Sequence, residues 1–241
     1  MKVTGGKAVY GASVGILMLE ARFPRIPGDM GNALTWPFPV RYRVVRGASP
    51  DRVVRRQAEG LLPAFIEAGR ELVAEGVDGI TTNCGFLSLL QNELAAALDV
   101  PVATSALMQG GMIQATLPPG KRLGVLTISA ESLTPAHLAA AGLEAGIPIQ
   151  GIDPGAELFR VILNDEPVLD IEKARSDMLR AAAKLVEGHP ALGAILLECT
   201  NMVPYAADVR DATGLPVFSI FEFMAWFQGA LEPRRFGGPL R

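Results

Sequence analysis

Two cysteines, Cys84 and Cys199, are the residues of this sequence whose type and spacing best suit catalysis. A free thiol has a pKa of roughly 8.5, and a nearby helix N-terminus lowers it, so cysteine can exchange a proton close to neutral pH. Two thiols on opposite sides of one carbon would let the first remove a proton and the second return one to the other face. This chemistry needs no cofactor, and we predict both cysteines to be catalytic.

Matching surroundings place the two cysteines in an internal repeat. Cys84 lies 17 residues before Pro101, and Cys199 lies 17 residues before Pro216. The segment DGITTNCGFLSLLQNELAAALDVPVATS aligns without a gap with GAILLECTNMVPYAADVRDATGLPVFSI, and each reads as strand, cysteine, helix and strand. Ligands of open parallel sheets lie beyond the carboxyl ends of the strands. We therefore expect the two halves to pack about a pseudo-twofold axis, with both thiols at the cleft between them.

Short polar side chains flank both cysteines and are candidate substrate contacts. Thr82 and Asn83 precede the first cysteine, and Thr200 and Asn201 follow the second. Their hydrogen-bonding groups suit a carboxylate or an amine, although such residues are also typical caps of helix N-termini. Glu198 leaves two interpretations open, that it tunes the neighbouring cysteine or that it points away into a salt bridge, and we favour the second. The alternative for each cysteine is packing, because buried cysteine behaves as a small apolar side chain.

Apolar strands alternate with helices along the whole chain, which is typical of parallel sheets covered by helices. The predicted strands are 14–19, 41–45, 79–83, 102–104, 123–128, 149–152, 194–197 and 217–220. The predicted helices are 51–75 with a kink or break at Pro63, 86–98, 135–145, 171–187, 205–212 and 222–230. We assign residues 1–106 with 218–241 to an N-terminal α/β domain that holds Cys84, and residues 107–217 to a C-terminal domain that holds Cys199.

A Pro/Gly-rich stretch, residues 23–39, is too long for an ordinary connection. Loops of this length are usually functional or disordered. Arg25, Asp29 and Asn32 lie within it. The sequence leaves three interpretations of this stretch open: a lid over the substrate, a solvated surface loop, or a contact between the subunits of an oligomer.

The composition excludes several classes of protein. A net charge of −3 gives no basic surface for nucleic acid or an anionic membrane. No apolar run approaches the roughly 18 residues of a membrane span. Residues 1–7 lack the pattern of a secretory signal. We predict a cytoplasmic protein with two free thiols.

Cofactor signals are equally scarce. His137 and His189 lack metal-ligand spacing, no Gly-x-Gly-x-x-Gly run follows the first strand, and the five lysines fall at termini, strand starts or helix faces that do not suit a Schiff base. We therefore predict no metal and no cofactor. The expected partners are a small carboxylate substrate and further copies of the chain, as a homodimer or a higher homo-oligomer.

The two cysteine motifs, TTNCG at 81–85 and ECTN at 198–201, resemble those of the aspartate/glutamate racemase superfamily, which includes hydantoin racemases, maleate isomerases and arylmalonate decarboxylases. The resemblance implies two Rossmann-like domains with a catalytic cysteine from each and no cofactor. It adds Gly85 to the substrate contacts, and also Ser13, since Ser13-Val14-Gly15 is the nearest match to an Asp-Ser-Gly run of glutamate racemases. Those enzymes carry Cys-Thr-His at the second motif, where Asn201 stands here, which argues against glutamate as substrate.

Three functions remain open from the sequence. The leading hypothesis is a cofactor-independent racemase or epimerase of a small amino acid or related carboxylate, because both cysteines are present. The alternative is a cysteine-dependent lyase, decarboxylase or cis-trans isomerase of a maleate-like or dimethylsulfoniopropionate-like carboxylate. The third is a protein that only binds or senses a small ligand.

Overall fold

A computed structural model of the chain describes residues 2–7 and 9–237 and contains two parallel sheets. The strands of the first sheet are β1 Val14–Leu19, β2 Val40–Val45, β3 Gly79–Thr82 and β4 Val102–Ala103. Those of the second are β5 Arg122–Thr127, β6 Ile149–Gly151, β7 Leu192–Leu197 and β8 Val217–Phe218. The strand orders, β2-β1-β3-β4 and β6-β5-β7-β8, are the same in both sheets. The predicted α/β class and the repeat of two parallel sheets are confirmed.

The helices that cover these sheets are short, apart from three. They are α1 Leu62–Ala74, α2 Gln91–Ala97, α3 Gly110–Thr116, α4 Pro135–Ala140, α5 Glu157–Leu163, α6 Ile171–Gly188, α7 Ala206–Thr213 and α8 Ile220–Leu231. Within the described residues, no helix is both long and apolar enough to cross a membrane.

The central strands are apolar because both faces of each sheet are covered. Every residue of β1 is buried, and so are all of β7 except Gly193. Gly15 of β1 allows α1 to approach closely, since a Cβ there would meet the Leu72 side chain at 2.9 Å. Buried apolar area of this kind supplies most of the folding free energy.

The predicted helix at 51–75 is wrong in its extent. A π-helical turn, Asp51–Arg55, is separated from α1 by residues in left-handed backbone conformation, with φ of 52° at Gln57 and 54° at Ala58. Pro63 lies in the first turn of α1, where its missing N–H costs nothing. Pro63 therefore helps to start a helix.

The sequence patterns gave no sign of α3 and α5. Each is only seven residues long, too short for a periodicity of 3.6 to be recognised. The assignment of residues to the two domains stays a prediction. Leu231 of α8 packs on Gly79 of the first sheet although β8 pairs with β7 in the second. Met1 and residues 238–241, which that assignment includes, lie outside the described residues.

Candidate active site

Cys84 lies directly beyond the carboxyl end of β3. Asn83 follows the strand, and Cys84 then precedes a 3₁₀ helix, Gly85–Leu90, whose first turn is closed by the Leu87 N–H donating to the Cys84 carbonyl at 3.0 Å. The Thr82 hydroxyl accepts from the Cys84 N–H at 3.4 Å and donates to the Thr104 carbonyl at 2.7 Å. Thr82 therefore holds the backbone that carries the cysteine.

Cys199 occupies the equivalent place beyond β7. It precedes a second 3₁₀ helix, Thr200–Tyr205, and the Met202 N–H donates to its carbonyl at 3.1 Å. Cys84 is partly exposed, whereas Cys199 is buried. The Thr200 hydroxyl donates to the Asn83 carbonyl at 2.7 Å, so one hydrogen bond joins the two cysteine segments directly.

Both cysteines line one closed cavity of about 20 Å³, room for roughly one water molecule. Two amide side chains, Asn83 and Asn201, are its other polar lining residues. The remaining walls are apolar and come from both halves: Leu19, Phe23, Pro50, Val54, Phe86, Ile128 and Ile162. The cavity must enlarge before it can hold a carboxylate of several heavy atoms.

The stretch 23–39 is ordered and covers this cavity. Asp29 is 2% exposed, and its carboxylate accepts from Asn201 Nδ2 at 2.5 Å and from Arg25 Nη1 at 2.9 Å. Gly28 packs on Pro204 of the second 3₁₀ helix, where a Cβ would come within 3.0 Å. Of the three interpretations of this stretch, a cover over the site is the one that these contacts support.

A second cover comes from α5, which sequence reasoning missed. Ile162 of this helix lines the cavity. Asp165, just after it, accepts from the backbone N–H groups of Arg22 at 2.5 Å and Phe23 at 3.2 Å. The helix and the start of the 23–39 stretch are thus joined above the two thiols.

The predicted substrate contacts divide into three groups. Asn83 and Asn201 line the cavity, whereas Thr82, Thr200 and Gly85 form the framework around it. Ser13 lies at the amino end of β1, the opposite end of the sheet, where its carbonyl accepts from Gly79 N–H at 3.0 Å. The structure does not bring Ser13 to the site, because Ser13 directly precedes β1 whereas the cysteines lie beyond the carboxyl ends of the strands.

Of the two interpretations of Glu198, the favoured one, a salt bridge that points away from the site, is wrong. Glu198 is fully buried, and its Oε2 accepts from the Thr127 hydroxyl at 2.7 Å. Oε1 has no hydrogen-bond partner among the described residues and lies against Gly85. Burial raises the pKa of this carboxyl to about 8, and the Thr127 hydrogen bond lowers it only in part. Burial therefore favours the protonated form of Glu198 near neutral pH.

Burial also raises the pKa of both thiols. For Cys84 the nearby Glu198 carboxyl raises it further, while the Phe86 and Leu87 N–H groups and the Arg25 charge lower it. For Cys199 the raising effects are burial, then Glu198, Cys84 and, more weakly, Asp29, and the Asn201 N–H opposes them. Neither thiol gives up its proton readily while the cavity is closed and holds no positive charge.

Sequence reasoning also missed Phe23, Pro50 and Val54 as lining residues and did not single out Asp29 from its loop. These residues lie between 30 and 61 positions from Cys84 in the chain, outside the repeat, so the spacing that revealed the cysteines carried no information about them. Among the described residues, no group of three or more His, Cys, Asp or Glu side chains is arranged to hold a metal ion.

Sequence comparison places this chain among characterised enzymes. It is 32% identical to a dimethylsulfoniopropionate lyase of Durusdinium sp. clade D, over 94% of this chain and 77% of the relative. It is 31% identical to dimethylsulfoniopropionate lyase 7 of Emiliania huxleyi, over 93% of this chain and 69% of the relative. No protein-family profile matches the chain.

Solved structures with the same fold include arylmalonate decarboxylase, with a TM-score of 0.59 at 15% identity over 94% of this chain and 95% of that one. The aspartate racemase of Picrophilus torridus gives a TM-score of 0.58 at 15% identity over 94% and 96%. The resemblance to the aspartate/glutamate racemase superfamily is thus confirmed at the level of the fold.

Proposed function

The chain belongs to the dimethylsulfoniopropionate lyase family, and from this we propose that it cleaves dimethylsulfoniopropionate, or a closely related sulfonium carboxylate, by a cysteine-dependent elimination. The sequence favoured a racemase and kept this lyase as its alternative. The family membership supports the alternative better than the racemase.

One observation carries the proposal: no charged side chain is among the residues that line the cavity. A buried site without charges favours a substrate whose own charges sum to zero, because an unpaired ion loses its hydration without compensation. A sulfonium carboxylate is such a zwitterion. A dicarboxylate would bring two negative charges to a site with no lysine, arginine or histidine in its walls.

The substrate's positive charge also offsets the rise in pKa that burial causes at the thiols. An opposite charge nearby favours the ionised form of an acid, so a bound sulfonium lowers the pKa of the thiol beside it. Phe23 and Phe86 are in the cavity wall, and aromatic side chains of this kind hold other organic cations. Binding of the correct substrate thus helps to generate the thiolate.

The amide of Asn83 is suited to the carboxylate end. Its Oδ1 accepts from the Leu19 N–H at 2.7 Å. The Nδ2 group of the same amide therefore points away from Leu19 and can donate a hydrogen bond. A carboxylate that accepts from Nδ2 lies beside Cys84, the next residue. The carbon next to the carboxylate is then within the reach of the Cys84 sulfur.

The reaction follows from these positions. The Cys84 thiolate takes a proton from the carbon next to the carboxylate, and the electron pair of that C–H bond forms the carbon–carbon double bond. The bond from the next carbon to sulfur breaks with its electrons on sulfur, so dimethyl sulfide leaves as a neutral molecule. Acrylate remains, and the Cys84 thiol returns its proton to water.

The test uses the whole chain and dimethylsulfoniopropionate. Headspace gas chromatography should detect dimethyl sulfide, with an equal amount of acrylate by liquid chromatography, and the double variant C84A/C199A should release none above background. The S13A variant, changed far from the cavity, should match the wild type. No release by the wild type would refute the lyase. Inhibition by succinate but not by the zwitterion 3-(trimethylammonio)propionate would refute the charge argument.

A racemase remains the second candidate, because cysteines of both halves line the same cavity. Single enantiomers of aspartate, glutamate and 5-substituted hydantoins incubated in deuterium oxide would reveal it by deuterium at the stereocentre. Exchange with one of these and no dimethyl sulfide from the sulfonium substrate would favour the racemase. The predicted homo-oligomer and cytoplasmic location stay predictions.

A further inference from the structure

We propose that Asp29 is a positioning residue that keeps Cys199 in its thiol form through Asn201, which leaves proton removal to Cys84. The catalytic part of this inference rests on the proposed lyase function. The structural part concerns one thiol and its hydrogen bonds.

The first step is the state of Asp29. Its Oδ1 accepts from Arg25 Nη1 at 2.9 Å and from the Gly31 N–H at 2.7 Å. A carboxylate paired with a guanidinium has acceptor atoms only. Whatever lies against Oδ2 must therefore donate.

The second step fixes the amide of Asn201. An amide has a donating end and an accepting end, and Asp29 Oδ2 can be met only by the NH₂ group. Nδ2 lies 2.5 Å from Asp29 Oδ2, so Oδ1 faces the other way, 3.5 Å from the sulfur of Cys199. The orientation of the amide thus follows from the charge of Asp29.

The third step concerns Cys199. A carbonyl oxygen facing a sulfur is favourable only if the sulfur carries a proton to donate, and it repels a thiolate. Asn201 cannot take that proton, unlike the histidine that stands at this place in the glutamate racemases that the sequence resembles. The charged and titratable groups that face Cys199 are Glu198, Cys84 and Asp29, and those that face Asp29 are Arg25 and Tyr42. None of those facing Cys199 is a cation.

Cys84 faces the same Glu198 carboxyl but differs in its other neighbours, since Cys199 has a single backbone N–H, that of Asn201, which favours the thiolate. The Phe86 and Leu87 N–H groups face the Cys84 sulfur, and both favour the thiolate. Arg25 contributes a positive charge nearby. The same arginine that pairs with Asp29 thus favours ionisation at one cysteine while its partner opposes ionisation at the other.

The roles in the elimination then differ. Cys84, as thiolate, accepts the proton from the carbon next to the carboxylate. Cys199 keeps its proton throughout. Its one S–H group donates to Asn201 Oδ1 in the closed cavity and turns to a carboxylate oxygen of the bound substrate, on which negative charge grows as the C–H bond breaks. No proton passes from Cys199 to the product.

The experiment titrates Cys199 alone, in the C84A background, by the ultraviolet absorbance of its thiolate. We expect the titration midpoint to fall by about one pKa unit in N201A, since the S–H loses its acceptor while the Asp29 charge stays. In D29N it should fall at least as far, because the charge is lost and the amide of Asn201 is free to turn its NH₂ group to the sulfur. The control is D153N, which removes a carboxylate from an exposed ion pair with Lys184 and should leave the midpoint unchanged.

A midpoint that N201A leaves in place, in a chain whose circular dichroism matches the wild type, would overturn the proposal. If D29N does not fold, N201A alone decides. A fall in D29N without one in N201A would mean that Asp29 acts by charge alone and would equally refute the hydrogen-bond relay. None of these readouts needs a substrate, so the lyase can fail its own test without affecting this result.

Discussion

The Cys84 half and the Cys199 half place their cysteines alike and surround them differently. In both halves the cysteine follows the third strand in chain order and begins a 3₁₀ helix. The Glu198 carboxyl faces both thiols. Around Cys84 lie also a threonine that braces the backbone and two N–H groups, whereas around Cys199 lie one N–H group, an amide oxygen and the covering stretch 23–39. The repeat fixes where each thiol lies, whereas the positions at which the two copies carry different residues, together with the stretch 23–39, give each thiol its own surroundings.

The same pair of sheets can hold two thiols with similar surroundings or with different ones, and these two arrangements suit different reactions. A racemase needs two thiols that exchange roles, which requires similar surroundings. An elimination needs one base and a group that stays protonated. The unequal neighbours of Cys84 and Cys199 suit the second kind of reaction.

The largest expected effect separates the two cysteines. C84S should lower kcat/KM for dimethyl sulfide release by about 10² to 10⁴, the usual contribution of a general base. C199S keeps an O–H donor and should lose about tenfold, the value of one hydrogen bond. Steady-state kinetics of both variants measure this difference. The reverse order of losses would assign the base to Cys199.

The next effect concerns Glu198, which has no counterpart next to Cys84, where Asn83 stands. Its pKa is 4.5 in an unfolded chain and about 8 when folded, so only the unfolded chain ionises between these values. The contribution of Glu198 to the free energy of unfolding should therefore be fully present below pH 4.5 and fall by a few kcal/mol up to pH 8, since each pKa unit is worth about 1.4 kcal/mol. Urea unfolding at several pH values should show a smaller fall in E198Q. An equal fall in both proteins would mean that Glu198 is ionised in the folded state.

Gly85 and Thr200 are equivalent positions, yet only the first requires a glycine. A Cβ on Gly85 would overlap with the Glu198 side chain and its carbonyl. G85A should cost about 1 to 3 kcal/mol of stability, as overpacked cores do. G111A, in a helix with open space around the Cβ position, should gain about 0.5 to 1 kcal/mol. Urea unfolding measures both, and equal stability of G85A and the wild type would contradict the close contact.

The smallest expected effect tests the bond that joins the halves. T200V removes the donor to the Asn83 carbonyl and should cost about 1 kcal/mol of stability, with a measurable rise in KM because Asn83 shifts. T116V removes a hydroxyl that bonds within its own helix, to the Ile113 carbonyl, and should leave KM unchanged. A KM that T200V does not alter would place Asn83 away from the substrate.

The sequence predicted the sheets and the convergence of the two motifs because these depend on patterns of the chain itself. The apolar strands and the equal spacing from Cys84 to Pro101 and from Cys199 to Pro216 are such patterns. The partners of the thiols depend on contacts between distant segments, as from Asp29 to Asn201, and no local pattern records them. Glu198 was misjudged because its burial is decided by Thr127 and Gly85, which come from different halves.

The most direct test of the account uses dimethylsulfoniopropionate deuterated at the carbon next to the carboxylate. If Cys84 removes that proton in the elimination, kcat/KM for dimethyl sulfide release by the wild-type chain should fall several-fold compared with the unlabelled substrate and stay nearly unchanged with deuterium on the carbon that bears sulfur. Equal rates with all three substrates, or no dimethyl sulfide at all, would contradict an elimination begun by a thiolate at this site.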